Sequence, residues 1–403
     1  MVENEQLGRN RDFRRLWSAG AVSALGTAVS SIAYPLLALD VAGSVAQAGL
    51  VGLLGLGAGA VARLPAGVLV DRVRVRRLLV ASDLVRLVVT AAVLAGAISG
   101  RLALWELALV AAVTAAASAV HDVARSVALR RVVASTRLAQ AFALDEGRNH
   151  VTGLLGQPLG GLLYGVAPAL PLAVDLLSFA ASARLGATIS DPLLPTDGPR
   201  ASVRDEIATG LVFVWRQPLL RTALLAAAGF QLVFTAAVFA LIATFRTAGT
   251  SSAALGLLFG VAGCGGIAGA LAAGRLQRRL PLHVLLVSMG GVAAVVFALL
   301  AQQRQPLVVG LLLGSIFFLS APANAVLLAA QAACTPLALQ GRAMSASFLI
   351  AGLVAPLGPP LAGVALDHAG PTSTFLGIAG LTALISTAVH ARRSTLVPPA
   401  TPA

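Results

Sequence analysis

The chain contains no lysine; all 29 of its basic side chains are arginine. A phosphate-binding P-loop, which needs a lysine on the phosphates, is therefore excluded, and so is a lysine Schiff base with pyridoxal phosphate. Charge of either sign is scarce. Charged residues make up 11% of the 403, against about 25% in an average soluble domain. A soluble body cannot clothe its surface with so few charges, and a disordered chain needs the opposite composition, so neither class fits. The two cysteines, Cys264 and Cys334, lie in apolar stretches and give no disulfide framework. Five histidines (His121, His150, His283, His368 and His390) are scattered without metal-ligand spacing. There is no His-Glu-x-x-His or Gly-x-Ser-x-Gly constellation and no loop large enough for a soluble catalytic domain. The expectation is a protein that is not an enzyme and uses neither cofactor nor metal.

What the chain has in abundance is apolar length. Hydrophobic residues are 58% of the total. Charge-free runs cover Leu16–Leu39, Val41–Ala62, Thr222–Phe245, Thr247–Gly274, Leu280–Gln303, Gln305–Gly341, Ala343–Leu366 and Ala369–Ala391. A bilayer core is crossed by about 20 apolar residues in a helix, and these runs are continuous, not alternating as in a barrel strand. Dividing the charge-bearing stretch 78–188 into four predicts twelve spans, at about 16–38, 47–70, 78–98, 102–122, 147–166, 169–188, 219–244, 252–273, 282–302, 306–328, 344–366 and 372–391. The fold class expected is an all-α polytopic membrane protein.

Arginine placement tests that count independently. With a cytoplasmic amino terminus, 22 arginines fall in inner segments and three in outer loops (Arg101, Arg246 and Arg304), while Arg63, Arg86, Arg148 and Arg184 lie within spans. This skew is the positive-inside rule, and it puts both termini in the cytoplasm of a plasma-membrane protein. The net charge of +13 thus reports topology, and no nucleic-acid partner is expected. The first apolar run has no small-residue cleavage site before the second and reads as a retained span. Residues 1–15 form a basic, aromatic approach to the membrane. Residues 189–218 form a cytoplasmic linker, opening on Pro192, Pro195, Gly198 and Pro199 and continuing into a surface helix from Ser202, with Ile207, Leu211 and Val214 at helical spacing. Two bundles, 16–188 and 219–391, and a cytoplasmic tail, 392–403, complete the organisation.

The two bundles repeat. At an offset of about 202 residues, Gly67-Val-Leu69 meets Gly269-Ala-Leu271, and Gly156-Gln-Pro-Leu-Gly160-Gly161 meets Gly358-Pro-Pro-Leu-Ala362-Gly363. With one residue of slip, Arg72 aligns with Arg275 and Arg76 with Arg279. A common offset of half the chain indicates a six-plus-six duplication, which defines one transporter architecture.

Several stretches carry a family resemblance: Phe13-Arg-Arg-Leu-Trp17, Tyr34-Pro-Leu-Leu-Ala-Leu-Asp40, Pro65-Ala-Gly67-Val-Leu-Val-Asp71-Arg72, Ser82-Asp83-Leu-Val-Arg86, Ala124-Arg125-Ser126, Val174-Asp175-Leu-Leu-Ser178-Phe179, Trp215-Arg-Gln-Pro218-Leu-Leu-Arg221 and Gly341-Arg342. Over nearly its whole length the chain resembles the major facilitator superfamily, and within it the drug/proton antiporters that include macrolide exporters. The resemblance implies two pseudo-symmetric six-helix bundles with a substrate cavity between them, lined by spans 1, 4, 7 and 10 among others. Tyr34, Gln231, Phe234 and Asn324 are the possible contacts. It also implies that Asp71, Arg72 and Arg76, joined by Arg125, latch the cytoplasmic side closed; the alternative is that the arginines orient the loop and bind anionic lipid. There are departures. Arg74 stands where the signature has glycine, Gln157 separates Gly156 from Pro158 in span 5, the span-4 arginine of many antiporters is missing, and the span-8 copy has no aspartate.

Intramembrane acid lies in the first half; after Glu206 the only acidic residue is Asp367. An ionisable group within a span costs roughly 2.5–3.5 kcal/mol on insertion scales, so a function is the first hypothesis for each. Asp83 and Arg86, three apart, can neutralise each other. Glu106, Asp145 and Glu146 lie near span ends, and Asp40 near the outer surface. Asp175, about seven residues into span 6 with no charged helix neighbour, is the main proton-coupling candidate; a structural pairing with Arg63 or Arg148 is the alternative. Gly67, Gly156, Pro158, Gly160, Gly161, Gly358, Pro359 and Gly363 permit close helix approach and mild bending, readable as a gate or as tight packing. The function expected is secondary efflux of a small hydrophobic molecule in exchange for protons, by a monomer in contact with membrane lipid. Uptake through the same fold is the alternative, and a polytopic sensor or enzyme a more distant one.

Overall fold

The computed structural model describes residues 9–190, 203–336 and 352–396, with residues 7, 339 and 350. The prolines expected to open the linker, and Gly341 and Arg342, lie outside the described residues. Those described form helices and no strands, as chains that must satisfy their own backbone in lipid require. Thirteen helices are used below: α1 (Arg11–Ser30), α2 (Ala33–Val41), α3 (Val45–Arg72), α4 (Val75–Ser99), α5 (Leu104–Val132), α6 (Leu138–Val166), α7 (Ala169–Ala187), α8 (Val203–Arg216), α9 (Pro218–Thr247), α10 (Ser252–Arg279), α11 (Leu282–Leu300), α12 (Pro306–Cys334) and α13 (Gly358–Ala391).

Ten helical segments among the described residues are long and apolar enough to cross a membrane. One of them, Gly352–Ala391, contains two crossings: Gly370, at φ 73° and ψ 173°, interrupts the helix just before Pro371. A left-handed φ costs glycine nothing, and the proline then opens the next helix. A further long helix, α6, spans 29 residues but carries Asp145, Glu146 and Arg148. With α6 and the division at Gly370, twelve helical segments among the described residues have the length to cross a membrane.

The first crossing differs in detail from the single span expected at about 16–38. It begins at Arg11, where the Asn10 side chain accepts a hydrogen bond from the Phe13 amide at 3.0 Å. Asn10 also donates to the Val132 carbonyl, and Arg15 donates to the Thr188 carbonyl at 2.6 Å, so this helix start is tied to the C-terminal ends of α5 and α7. The membrane approach and the span are one helix. It then breaks at Ser31–Ile32, because Pro35 has no amide to donate and its ring clashes with the carbonyl four residues back.

The helices sort into two compact units. The first holds α1, α2, α3 from Leu50 onward, α4 to α7, and the first turn of α10 through Gly256; the second holds Ser44–Gly49, α8, α9, α10 from Leu257, and α11 to α13. Within the first, α1 packs on α6 and α7, and α4 on α5 and α7. Within the second, α13 packs on α9 and α11, and α11 on α12. The surface helix expected after the linker is α8, with Val214 buried and Leu211, Val212 and Trp215 exposed.

Candidate functional site

Charge within the membrane-spanning helices collects in the first unit. Asp175, on α7, is 1% exposed. Ser30 donates to its Oδ2 at 2.6 Å, and the Thr27 and Ser178 hydroxyls lie 3.4 Å from its Oδ1. Ser178 and Asp175 fill the space that a side chain at Gly26 would need. The carboxylate is therefore seated in a notch of α1 made by a glycine and two hydroxyls. Among the described residues no guanidinium lies within ion-pair distance of it; Arg86 acts on it from farther away. Neither pairing expected as the structural alternative, with Arg63 or with Arg148, is the contact Asp175 makes here.

Beside Asp175 stands Tyr34 of α2, whose hydroxyl is neighboured by Thr90 of α4 and Thr114 of α5. All three hydroxyls are buried and lie against one another. Together they make a small polar cluster inside the unit. Tyr34 was expected among substrate contacts; its hydroxyl faces this interior.

A second group lies further along α4, α5 and α7. Asp83, 1% exposed, is hydrogen-bonded by Arg86, so the i,i+3 neutralisation expected from spacing is present. Arg86, 3% exposed, also lies over the Phe179 ring, 4.4 Å from its centroid. His121 brings Nε2 to 3.7 Å from Asp83 Oδ2.

A third group joins α5 to α6. Arg125 grips Asp145 with both terminal nitrogens, and Arg148 approaches the same carboxylate at 3.0 Å. Gly20 of α1 leaves the room these two guanidiniums occupy. Removing one partner of a buried pair costs about 3–5 kcal/mol, so Asp145 is a strong tie between α5 and α6. Arg125, expected in the latch, and Arg148, expected near Asp175, thus meet on Asp145. Asp71 and Arg72 stand exposed at the C-terminal end of α3, and Arg76 is half-buried at the start of α4.

Sequence reasoning missed Asp122. It ended span 4 there, whereas α5 continues to Val132. Asp122 is exposed, with Arg125, Arg86, Arg63 and Arg148 all acting on it. Its i,i+3 spacing to Arg125 was the available signal. Sequence reasoning also set His121 aside. Two other acids have local partners: Glu106 accepts from the Ala103 amide at 3.1 Å, and Asp40 accepts from the Tyr164 hydroxyl at 2.7 Å.

The glycines fall into two kinds. A Cβ at Gly156 would meet Ala28, at Gly160 Val29 and Ile32, at Gly161 Ser252 and Gly256, at Gly358 Thr235 and Ala236, and at Gly363 Val45 and Ala46. The backbone of Pro359 lies against Gly49 in the same way, whereas Gly67 has nothing within 4 Å. Pro158 stands inside α6. In the second unit, Gln231 and Asn324 are exposed on α9 and α12, and Phe234 contacts Phe317 with ring centroids 5.7 Å apart. The larger of two cavities described, about 210 Å³ between α9 and α13, is lined almost wholly by apolar side chains.

The sequence profile of the Major Facilitator Superfamily matches residues 16–301. No curated protein sequence matches the chain. Among solved structures, a bacterial homologue of the human lysosomal transporter Spinster, inward-facing and unoccupied, is 16% identical, with a TM-score of 0.69 over 98% of this chain and 95% of that one. The nucleoside transporter NupG is 13% identical, with a TM-score of 0.69 over 95% and 99%. The Escherichia coli fucose:proton symporter FucP, as a single-site variant, is 16% identical, with a TM-score of 0.59 over 95% and 99%. At these identities the likeness is one of fold.

Proposed function

The chain belongs to the Major Facilitator Superfamily and is a multi-pass membrane transporter, and we propose that it exports a small hydrophobic organic molecule in exchange for protons by alternating access. The observation that carries this reading is Asp175: an intramembrane carboxylate, 1% exposed, held by hydroxyls and not by a cation. Hydroxyls can donate to the ionised form or accept from the protonated one, so this setting accommodates both states of a group that must load and release a proton. Its cost of insertion makes a purely passive role expensive.

In this reading Asp175 carries the coupling proton, with Asp83, Arg63 and Arg148 as the charged groups that respond to it. Asp71, Arg72, Arg76 and Arg125 act as the cytoplasmic latch. The close-packed glycines of α6 and α13, with Pro158 and Pro359, guide the gate. Gln231, Phe234, Asn324 and Tyr34 are the substrate contacts; exposed amides on otherwise apolar spans favour an aqueous path over lipid. The protein works as a monomer in the plasma membrane, with both termini cytoplasmic.

Inverted membrane vesicles, energised so that their lumen becomes acid, provide the test. Erythromycin, tetracycline and ethidium are offered in turn, and at least one should accumulate and leave again when an uncoupler is added. Accumulation that ignores the uncoupler would remove proton exchange. A specific likeness favours the second reading, proton-coupled uptake: one fold neighbour is a fucose:proton symporter. Uptake predicts that the same gradient expels the compound from inverted vesicles, so the direction of movement separates the two.

A further inference from the structure

His121 has no part in the account above, and its surroundings are unusual for a packed histidine. It is 4% exposed, midway along α5, and faces Asp83 across 3.7 Å. That gap is too long for a direct hydrogen bond and too short to hold a water in line, so a water reaching both atoms must sit to one side of the pair. A cavity of about 10 Å³ lies there, lined by Asp83, His121, Arg125 and Ser182 among apolar residues of α1, α4 and α7. This is close to the space of one water, which needs two to four polar partners. Ser182, 1% exposed, turns its hydroxyl toward Asp83. A water in the cavity would find Asp83, His121 and Ser182 around it.

The cluster also sits in series with the groups already described. One turn beyond His121 on α5, Arg125 holds Asp145. The charged groups facing His121 are Asp83 and Arg86 from α4, Arg125 from α5 itself and Arg148 from α6; α7 contributes Ser182, and α1 contributes Gly20 and apolar side chains.

We propose that His121 is the inner proton-transfer residue of the transport cycle, receiving a proton from Asp83 through one water held in the cavity beside them. The protonated Asp83 carboxyl gives its proton to the water, and the water passes one of its own to Nε2 of neutral His121. The products are a carboxylate, an unchanged water and an imidazolium. The imidazolium then releases its Nδ1 proton to water on the cytoplasmic side, and the ring returns to neutral as the other tautomer. One proton has moved inward, and no bond other than O–H and N–H has changed.

The inference rests on the proton-coupled reading, and the experiment keeps the two apart. Purified protein in liposomes is assayed with whichever of erythromycin, tetracycline or ethidium the wild type moves, first driven by a pH gradient and then as exchange at equal pH. H121Q should lose at least about tenfold in gradient-driven accumulation, the lower range for a lost general acid–base group, while exchange continues. H121Q with full gradient-driven accumulation overturns the proposal and leaves the coupled reading standing. A wild type indifferent to the gradient overturns both. Should H121Q also lose exchange, S182A carries the test, since it removes one hydroxyl that lines the cavity and leaves Asp83 and His121 in place. Slower gradient-driven uptake with a larger slowing in D2O supports the water bridge, and unchanged uptake rejects it.

Discussion

At the scale of single residues, Asp175 is defined by what seats it. Gly26 leaves the space, Ser30, Thr27 and Ser178 supply hydroxyls, and no guanidinium replaces them. An asparagine has nearly the same shape, accepts at its one oxygen and donates from its amide nitrogen to a rotated hydroxyl, but it cannot carry a proton across a cycle. D175N should therefore insert and fold as the wild type does, retain exchange at equal pH, and lose accumulation driven by a pH gradient by at least roughly tenfold. The paired assay in liposomes checks this; full gradient-driven accumulation would remove Asp175 from the coupling route. The sequence marked Asp175 because a lone acid inside a span stands out at any depth. Its seat was not legible, since Ser30 lies 145 residues away and nothing in the pattern of α1 announces a partner. The pairing of His121 with Asp83 was hidden for the same reason: each lies on its own helix, and only packing brings them to 3.7 Å.

At the scale of elements, the apolar runs located the crossings because a bilayer imposes a length that a sequence must match. Ends and breaks were less legible. The Pro35 break comes from a missing backbone donor that hydropathy does not register, and the extension of α5 to Val132 arises where polar residues continue a helix past the bilayer core, so that hydropathy alone ends the segment too early. That error concealed Asp122. The glycine signature was legible as a pattern, and the structure separates its members by what each touches. Gly160 of α6 faces the Val29 carbonyl of α1, whereas Gly67 of α3 faces open space. G160A should push α6 from α1 and cost about 1–3 kcal/mol, the usual range for overpacking. G67A should be neutral or stabilising by up to about 1 kcal/mol, because alanine suits a helix better than glycine. Thermal unfolding of the detergent-solubilised proteins measures both. Equal melting temperatures for G160A and the wild type would mean that α6 is not held by this contact.

At the scale of the whole molecule, the duplication and the charge distribution pull in different directions. The two halves share an offset and a signature, yet the acid within the spans belongs to the first, and Asp367 alone follows Glu206. Asp367 has an identifiable task that does not involve titration: it accepts from the amides of Val45 and Ala46, at 3.2 and 2.9 Å, at the start of α3. A carboxylate at a helix start gains about 0.3–1 kcal/mol from the helix dipole, and the amide oxygen of asparagine keeps much of the hydrogen bonding. D367N thus empties the second half of acidic side chains in one step. If protons travel through the first half only, D367N should lower thermal stability by less than about 1 kcal/mol and leave gradient-driven accumulation within roughly twofold of wild type, equivalent to about 0.4 kcal/mol. D175N, one substitution in the other half, should abolish it. Loss of coupling in a well-folded D367N protein would defeat this division of labour, because the second half would then contribute a proton carrier of its own. Retention would mean that the duplicated fold has given chemistry to one copy and left the other to move around it.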